Sequence, residues 1–185
     1  MPFKEIVEPW RSFLSSVDEN LQDDVALHCL GGFVVTMLYG LARTADVDVI
    51  TIAPGSVGNY LRSLAGKGSE LHRMSGVYLD FVAIAPVPED YEQRLTEMFP
   101  GTFKRLRLFA CDPYDVALSK LERNIQRDRD DVKYLARTIP FDLRMLKERY
   151  ETELRPILGN PDWEDLTLRL WLEVIEEDRR LQPKP

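Results

Sequence analysis

The chain has 185 residues, with 24 Lys and Arg against 31 Asp and Glu, a formal net charge of −7. Hydrophobic residues make up 44% and charged residues 30%, which excludes a largely disordered chain and leaves length enough for one domain, or a small domain with an appendage, to bury a core. The acidic balance argues against non-specific binding to duplex DNA, which needs a basic face.

The opening residues 1–10 lack the apolar stretch and small-residue site of a secretory signal. No run approaches the ~20 apolar residues of a membrane span. The expected compartment is therefore cytoplasmic, with no membrane partner. Cys29 and Cys111 read as small buried hydrophobes in a reducing environment. His28 and His72 are too far apart for a zinc-binding spacing.

In chain order, residues 3–16 place Phe3, Ile6, Val7, Trp10, Phe13 and Leu14 at helical spacing, with Pro9 as a kink or a break. Val25–Leu30 reads as a buried strand. Gly31-Gly32 interrupts it, and Phe33–Tyr39 follows as a helix stopped by Gly40. Val47–Ala53 reads as a strand ended by Pro54-Gly55, and Val57–Leu64 as a helix. Val77–Ala85 is apolar on both faces and reads as a buried strand. Tyr91–Met98 reads as a short helix and Arg105–Cys111 as a further strand. Beyond Pro113 the spacing becomes helical, with breaks expected near Arg127 and Pro140. The last helix is expected over Asp162–Asp178, with Trp163, Leu166, Leu170, Val174 and Ile175 on its apolar side. The class is α+β: a mixed strand–helix part over 1–111 and a helical part over 112–185 packed on it.

Three features of this pattern carry chemistry. Asp46 and Asp48 lie two apart on a strand, so both point to one face. Extending that face gives Ile50 and Ile52, while Val47 and Val49 take the other. Asp80 is the only charge in residues 77–85. A lone carboxylate in a buried strand costs on the order of several kcal/mol unless a cation or a proton compensates it. Gly31-Gly32 opens a helix directly after a strand. Singly, each has a plain role: a solvated strand face, a pair between Asp80 and Arg43, a tight turn. Jointly they suggest three hard oxygen ligands that suit Mg²⁺ or Mn²⁺. Glycines there would let backbone N–H groups approach a phosphate.

The arrangement resembles the nucleotidyltransferase fold of the DNA polymerase beta superfamily: an apolar residue, a glycine pair, a spacer, Asp-x-Asp, and a third acid on a later strand. Here 13 residues separate Gly32 from Asp46. The closer likeness is to bacterial stand-alone nucleotidyltransferases, among them toxins of abortive-infection and toxin–antitoxin systems. It is carried by the run from Tyr39-Gly40 through Arg43-Thr44-Ala45 to Asp46-Val47-Asp48, and by the run from Asp112-Pro113-Tyr114 through Lys120 and Arg123 to Arg127-Asp128. The toxins commonly carry Gly-Ser where this chain has Gly31-Gly32.

The resemblance implies a mixed sheet flanked by helices, and metal-dependent transfer of a nucleoside monophosphate from an NTP to a hydroxyl of RNA, protein or a small molecule. It also implies a toxin or defence role with a cognate antitoxin. The alternative is an inactive nucleotide- or partner-binding module of the same fold. Asp46, Asp48 and Asp80 would hold the metal and act in catalysis, Asp80 easing the proton off the attacking hydroxyl. Gly31, Gly32, Arg43 and Thr44 would serve the nucleotide, Arg43 either orienting Asp46 or reaching substrate. Lys120, Arg123 and Arg127 share one face if their helix runs unbroken. Lys120, then Arg123, would meet the phosphates, or both would pair with acids such as Glu122 or Asp128. Residues 104–149 hold 12 Lys and Arg against 8 Asp and Glu, so the net −7 conceals a basic segment suited to a metal-bound triphosphate.

Overall fold

The computed structural model describes residues 5–40, 44–82 and 85–181. The chain divides into two compact units, Met1–Ala85 with Gln93–Asp112, and Pro86–Glu92 with Pro113–Pro185.

The first unit is built on one mixed sheet with strand order β3-β2-β1-β5-β4. The strands are β1 (Val25–Leu30), β2 (Asp46–Ala53), β3 (Tyr78–Phe81), β4 (Thr96–Met98) and β5 (Leu106–Ala110). β1 runs antiparallel to β2 and parallel to β5. β2 pairs in parallel with β3, and β4 antiparallel with β5. Leu27, Cys29, Val47, Val49, Leu79 and Leu108 are buried on one face. The protein is α+β, with eight α-helices among the described residues.

Helix α1 (Trp10–Asn20) starts only after Pro9, because a proline has no N–H to give to a preceding turn. It buries Trp10, Phe13, Leu14 and Val17, on the spacing expected of its apolar face. Helix α2 (Gly31–Tyr39) takes in both glycines and ends at Gly40, whose left-handed backbone (φ 87°) lets its N–H return to Thr36 O at 3.0 Å. Helices α3 (Gly58–Ala65) and α4 (Glu70–Ser75) lie between β2 and β3, as a parallel pair requires a crossover.

Asp18 ties the end of α1 to the start of β5. Its carboxylate accepts the backbone N–H groups of Lys104, Arg105 and Leu106 at 3.0, 2.7 and 2.8 Å. Burial alone would raise its pKa, but those three donors, with the Arg105 charge, hold it below the usual carboxylate value.

Three expectations are corrected in the sheet. Tyr91–Met98 is a 3₁₀ turn (Tyr91–Arg94) followed by β4, which is drawn into register with β5. β3 spans only Tyr78–Phe81 and is an edge strand, so Asp80 is exposed rather than buried. The desolvation argument for a compensating cation therefore lapses. Finally, the pairings Cys29↔Val49 and His28↔Thr51 skip Ile50. This bulge flips the alternation, putting Thr51 on the carboxylate face and Ile52 opposite Leu27 on the other.

The second unit contains α5 (Pro113–Leu118), α6 (Gln126–Thr138), α7 (Leu143–Arg149) and α8 (Asp162–Leu181). Its core includes Val116, Leu121, Leu135, Leu146, Tyr150 and Leu154. Helicity stops after Leu118 and resumes at Gln126, so Lys120, Arg123 and Arg127 do not share one helix. The break is fixed by a positive φ of 42° at Asn124 and by the Asp128 carboxylate, which accepts the Ile125 N–H at 3.2 Å. In α8 the buried residues include Leu168, Trp171 and Ile175, whereas Trp163, Leu166, Leu170 and Val174 are exposed. Of the five residues expected on the apolar side, Ile175 is buried as expected and the other four are exposed.

Replacing Asp18 with Ala leaves three strand-end N–H groups without their acceptor and should destabilise the fold by about 1–2 kcal/mol, read from urea unfolding. Because the folded pKa is lowered, this stabilisation is complete above the unfolded value of about 3.9 and is lost as pH falls below it. The difference between wild type and variant should narrow in acid.

Candidate metal centre

Parallel pairing of β2 with β3 sets Asp46 beside Tyr78 and Asp48 beside Asp80. Residues paired across a ladder present their side chains to the same face. The result is a cluster in which Asp46, Asp48 and Asp80 each offer a carboxylate oxygen, all within 4.8 Å of one another. Asp46 and Asp48 are half-buried and Asp80 is exposed. All three sequence-predicted carboxylates are therefore brought together.

Asp46 is held from both sides. Thr44 Oγ1 donates to Asp46 Oδ1 at 2.7 Å, and the Tyr78 hydroxyl donates to Asp46 Oδ2 at 3.3 Å. Thr44 Oγ1 also accepts the Asp46 N–H at 3.4 Å, closing a local side-chain turn at the start of β2. Thr44 thus acts on the carboxylate itself. Partial burial raises the Tyr78 pKa first, and the charges of Asp46, Asp80 and Asp48 add to that. Tyr78 was missed in the sequence. The signal was available, since it lies two residues before Asp80 and so on the same strand face. The His72 ring packs edge-on against it at 4.8 Å.

Gly31 explains half of the glycine pair. Its φ is +70°, and a Cβ placed there would lie 1.7 Å from Asp48 Oδ2. Only glycine lets the Asp48 carboxylate sit against the first turn of α2. Gly32 follows as the second residue of that turn, and the apolar N-cap residue Leu30 offers no side-chain cap. The N-terminal N–H groups and the dipole of α2 therefore lie beside the acidic cluster. Arg43 lies outside the described residues.

The fit to a divalent cation can be judged from the donor set. Three carboxylates are hard oxygen donors of the type Mg²⁺ and Mn²⁺ take. No Lys or Arg among the described residues forms an ion pair with Asp46 or Asp80 within 4.0 Å. Like charges this close repel one another, and a divalent ion relieves that repulsion.

Lys120 and Arg123 belong to the second unit and serve a different acid. Lys120 is buried, and its Nζ donates to Asp131 Oδ2 at 2.9 Å and Asp128 Oδ1 at 3.4 Å. Arg123 grips Asp128 with a two-pronged contact, Nε to Oδ2 at 2.9 Å and Nη2 to Oδ1 at 2.6 Å. Burial would raise the Asp128 pKa, but the Arg123 hydrogen bonds, the Lys120 charge and the Ile125 N–H together lower it.

A glycine-led helix following one strand, an Asp-x-Asp on the antiparallel neighbour and a third Asp on the next strand are the arrangement that the resemblance to nucleotidyltransferases implies. The chain belongs to the family described as "Nucleotidyltransferase of unknown function (DUF6036)", whose family model matches residues 11–179. No significant match exists among curated proteins or solved structures. No helix among the described residues is long and apolar enough to cross a membrane.

Gly31→Ala should displace the Asp48 carboxylate as well as strain the backbone. The expected cost exceeds the ~1 kcal/mol typical of an incompatible Gly→Ala change, measured as a drop in the denaturation midpoint. An unchanged midpoint would contradict the close approach of Asp48 to Gly31.

Proposed function

We propose that the chain transfers a nucleoside monophosphate from an NTP to a hydroxyl of RNA, a protein or a small molecule, with Mg²⁺ or Mn²⁺ held by Asp46, Asp48 and Asp80. The observation that carries this reading is the convergence of three carboxylates beside the glycine-led N-terminus of α2. When bound, the metal would neutralise the carboxylates and the triphosphate oxygens and polarise the α-phosphorus.

The protein's own contribution is largely positioning. Asp46 receives a hydrogen bond on each oxygen, from Thr44 and Tyr78, so its orientation is set before any ligand arrives. Asp48 is seated against Gly31. The N–H groups at the glycine-led start of α2 suit the anionic phosphates. Asp80, exposed at the sheet edge, is the group to receive the proton of the attacking hydroxyl. In the transfer, the acceptor oxygen forms a bond to the α-phosphorus and the bond from that phosphorus to pyrophosphate breaks. The hydroxyl proton passes to Asp80 and on to water. Lys120 and Arg123 are assigned no step here; both are engaged by Asp128.

Incubation with each labelled NTP, Mg²⁺ and a cell extract should label an acceptor. Asp46→Ala and Asp80→Ala should each lower that transfer by at least about 100-fold. Wild-type transfer by both variants would refute the metal mechanism. Binding of Mg²⁺-NTP by the wild type without any turnover would favour the inactive-module reading instead.

A further inference from the structure

Helix α8 carries an apolar stripe that its own unit leaves uncovered. Trp163, Leu166, Leu170 and Val174 are 38% to 52% exposed, and Leu181 is 78% exposed. At helical spacing these five fall within an arc of about 80° and run the length of the helix. The side that packs adjoins it, through Leu168, Trp171 and Ile175. A groove beside the stripe, floored by Val132, Leu170, Trp171, Val174 and Ile175, widens the apolar surface. A monomeric soluble protein rarely leaves so continuous an apolar face open.

The charges alongside the stripe indicate what covers it. Asp162, Arg169, Glu173 and Arg180 form a single row next to Leu166, within about 40° of one another on the helix. Arg169 and Glu173 are exposed, and neither has an ion-pair partner among the described residues. Arg180 makes only an exposed i,i+4 pair with Glu176 at 3.6 Å, a contact worth little on its own. The row is self-complementary. Read antiparallel, the Arg169–Glu173 and Asp162–Arg180 pairs are both centred on position 171. One two-fold axis there would set Arg169 against Glu173 of a second copy, and Asp162 against Arg180 of a second copy. The same axis lays stripe along stripe, Leu170 falling within about two residues of Val174 of the second copy and Trp163 within about two of Leu181, and it opposes the two helix dipoles.

We infer that α8 is an isologous dimer interface, packing antiparallel on α8 of a second copy about an axis beside Trp171. The acidic start of each helix, at Asp162, meets the basic end of the other, at Arg180. The apolar stripe supplies the buried centre, and the flanking row fixes direction and register.

Sedimentation velocity on the full chain over a concentration series tests this. The wild type should sediment as a dimer, and Leu170→Glu, at an exposed position, should be monomeric with an unchanged circular dichroism spectrum. Arg169→Glu and Glu173→Arg should each weaken the dimer about tenfold or more when alone, by setting like charges opposite each other. Mixed in equal amounts, these two variants should form a heterodimer as tight as the wild type to within a factor of about three. An effect confined to one helix cannot produce that rescue in trans. A wild type that stays monomeric would overturn the inference, leaving the groove, with Arg129 and Lys133 on its rim, to an acidic helix of another protein. Single reversals without effect, or a mixture that fails to recover, would overturn it as well.

Discussion

Three like charges held within 4.8 Å of one another are the constraint on which the first unit depends. Nothing in the physics of folding favours such a cluster, because carboxylates that close repel. The sheet imposes it. β2 and β3 are locked in parallel register with Asp48 opposite Asp80, and β1 brings Leu30 alongside Asp48. The chain leaving β1 must then turn into α2 directly under that carboxylate. Gly31 follows from this, since any side chain there would occupy the space that Asp48 Oδ2 already fills. Thr44 and Tyr78 steady Asp46 without neutralising it. The local structure thus holds three hard oxygen donors together in the way a cation site requires.

The acidic residues of the second unit show the opposite solution. Asp128 is fully buried, yet both its oxygens are occupied by Lys120, Arg123 and the Ile125 N–H. Asp131 shares the Lys120 ammonium. Burial with full compensation gives a rigid joint between the end of α5 and the start of α6, and removal of one partner would leave a buried charge exposed to the full desolvation penalty. The contrast separates acids whose charge is met by lysine and arginine from acids gathered with one another, although the two sets are equally conspicuous in the sequence.

Much of this was legible before the structure. Regular spacing identified most strands and helices, and the period-2 rule put Asp46 and Asp48 on one face. The third acid was found because it interrupts an apolar run. What could not be read were features decided by pairing. Ile50 drops out of register with β1, and this bulge moves Thr51 to the carboxylate face; no local propensity marks it. Asp80 proved exposed because β3 is an edge strand and ends at Phe81. The apolarity of residues 77–85 carried no information on strand order. Lys120, Arg123 and Arg127 lost their common face to a break that Asn124 and Asp128 set. In α8 the periodicity was correct, but of the expected face only Ile175 is buried, since two apolar arcs compete and the core takes the one with Leu168, Trp171 and Ile175. The arc left outside is what an isolated chain cannot explain.

The central claim is that Asp46, Asp48 and Asp80 form a cation site. It is tested most directly by titrating the purified protein with Mn²⁺ and following free ion by electron paramagnetic resonance. The wild type should bind Mn²⁺, and Asp46→Asn or Asp48→Asn, which keep the size of the side chain and remove its charge, should weaken binding by about tenfold or more. A wild type that leaves the Mn²⁺ signal undiminished, or variants that bind as tightly as the wild type, would contradict the account.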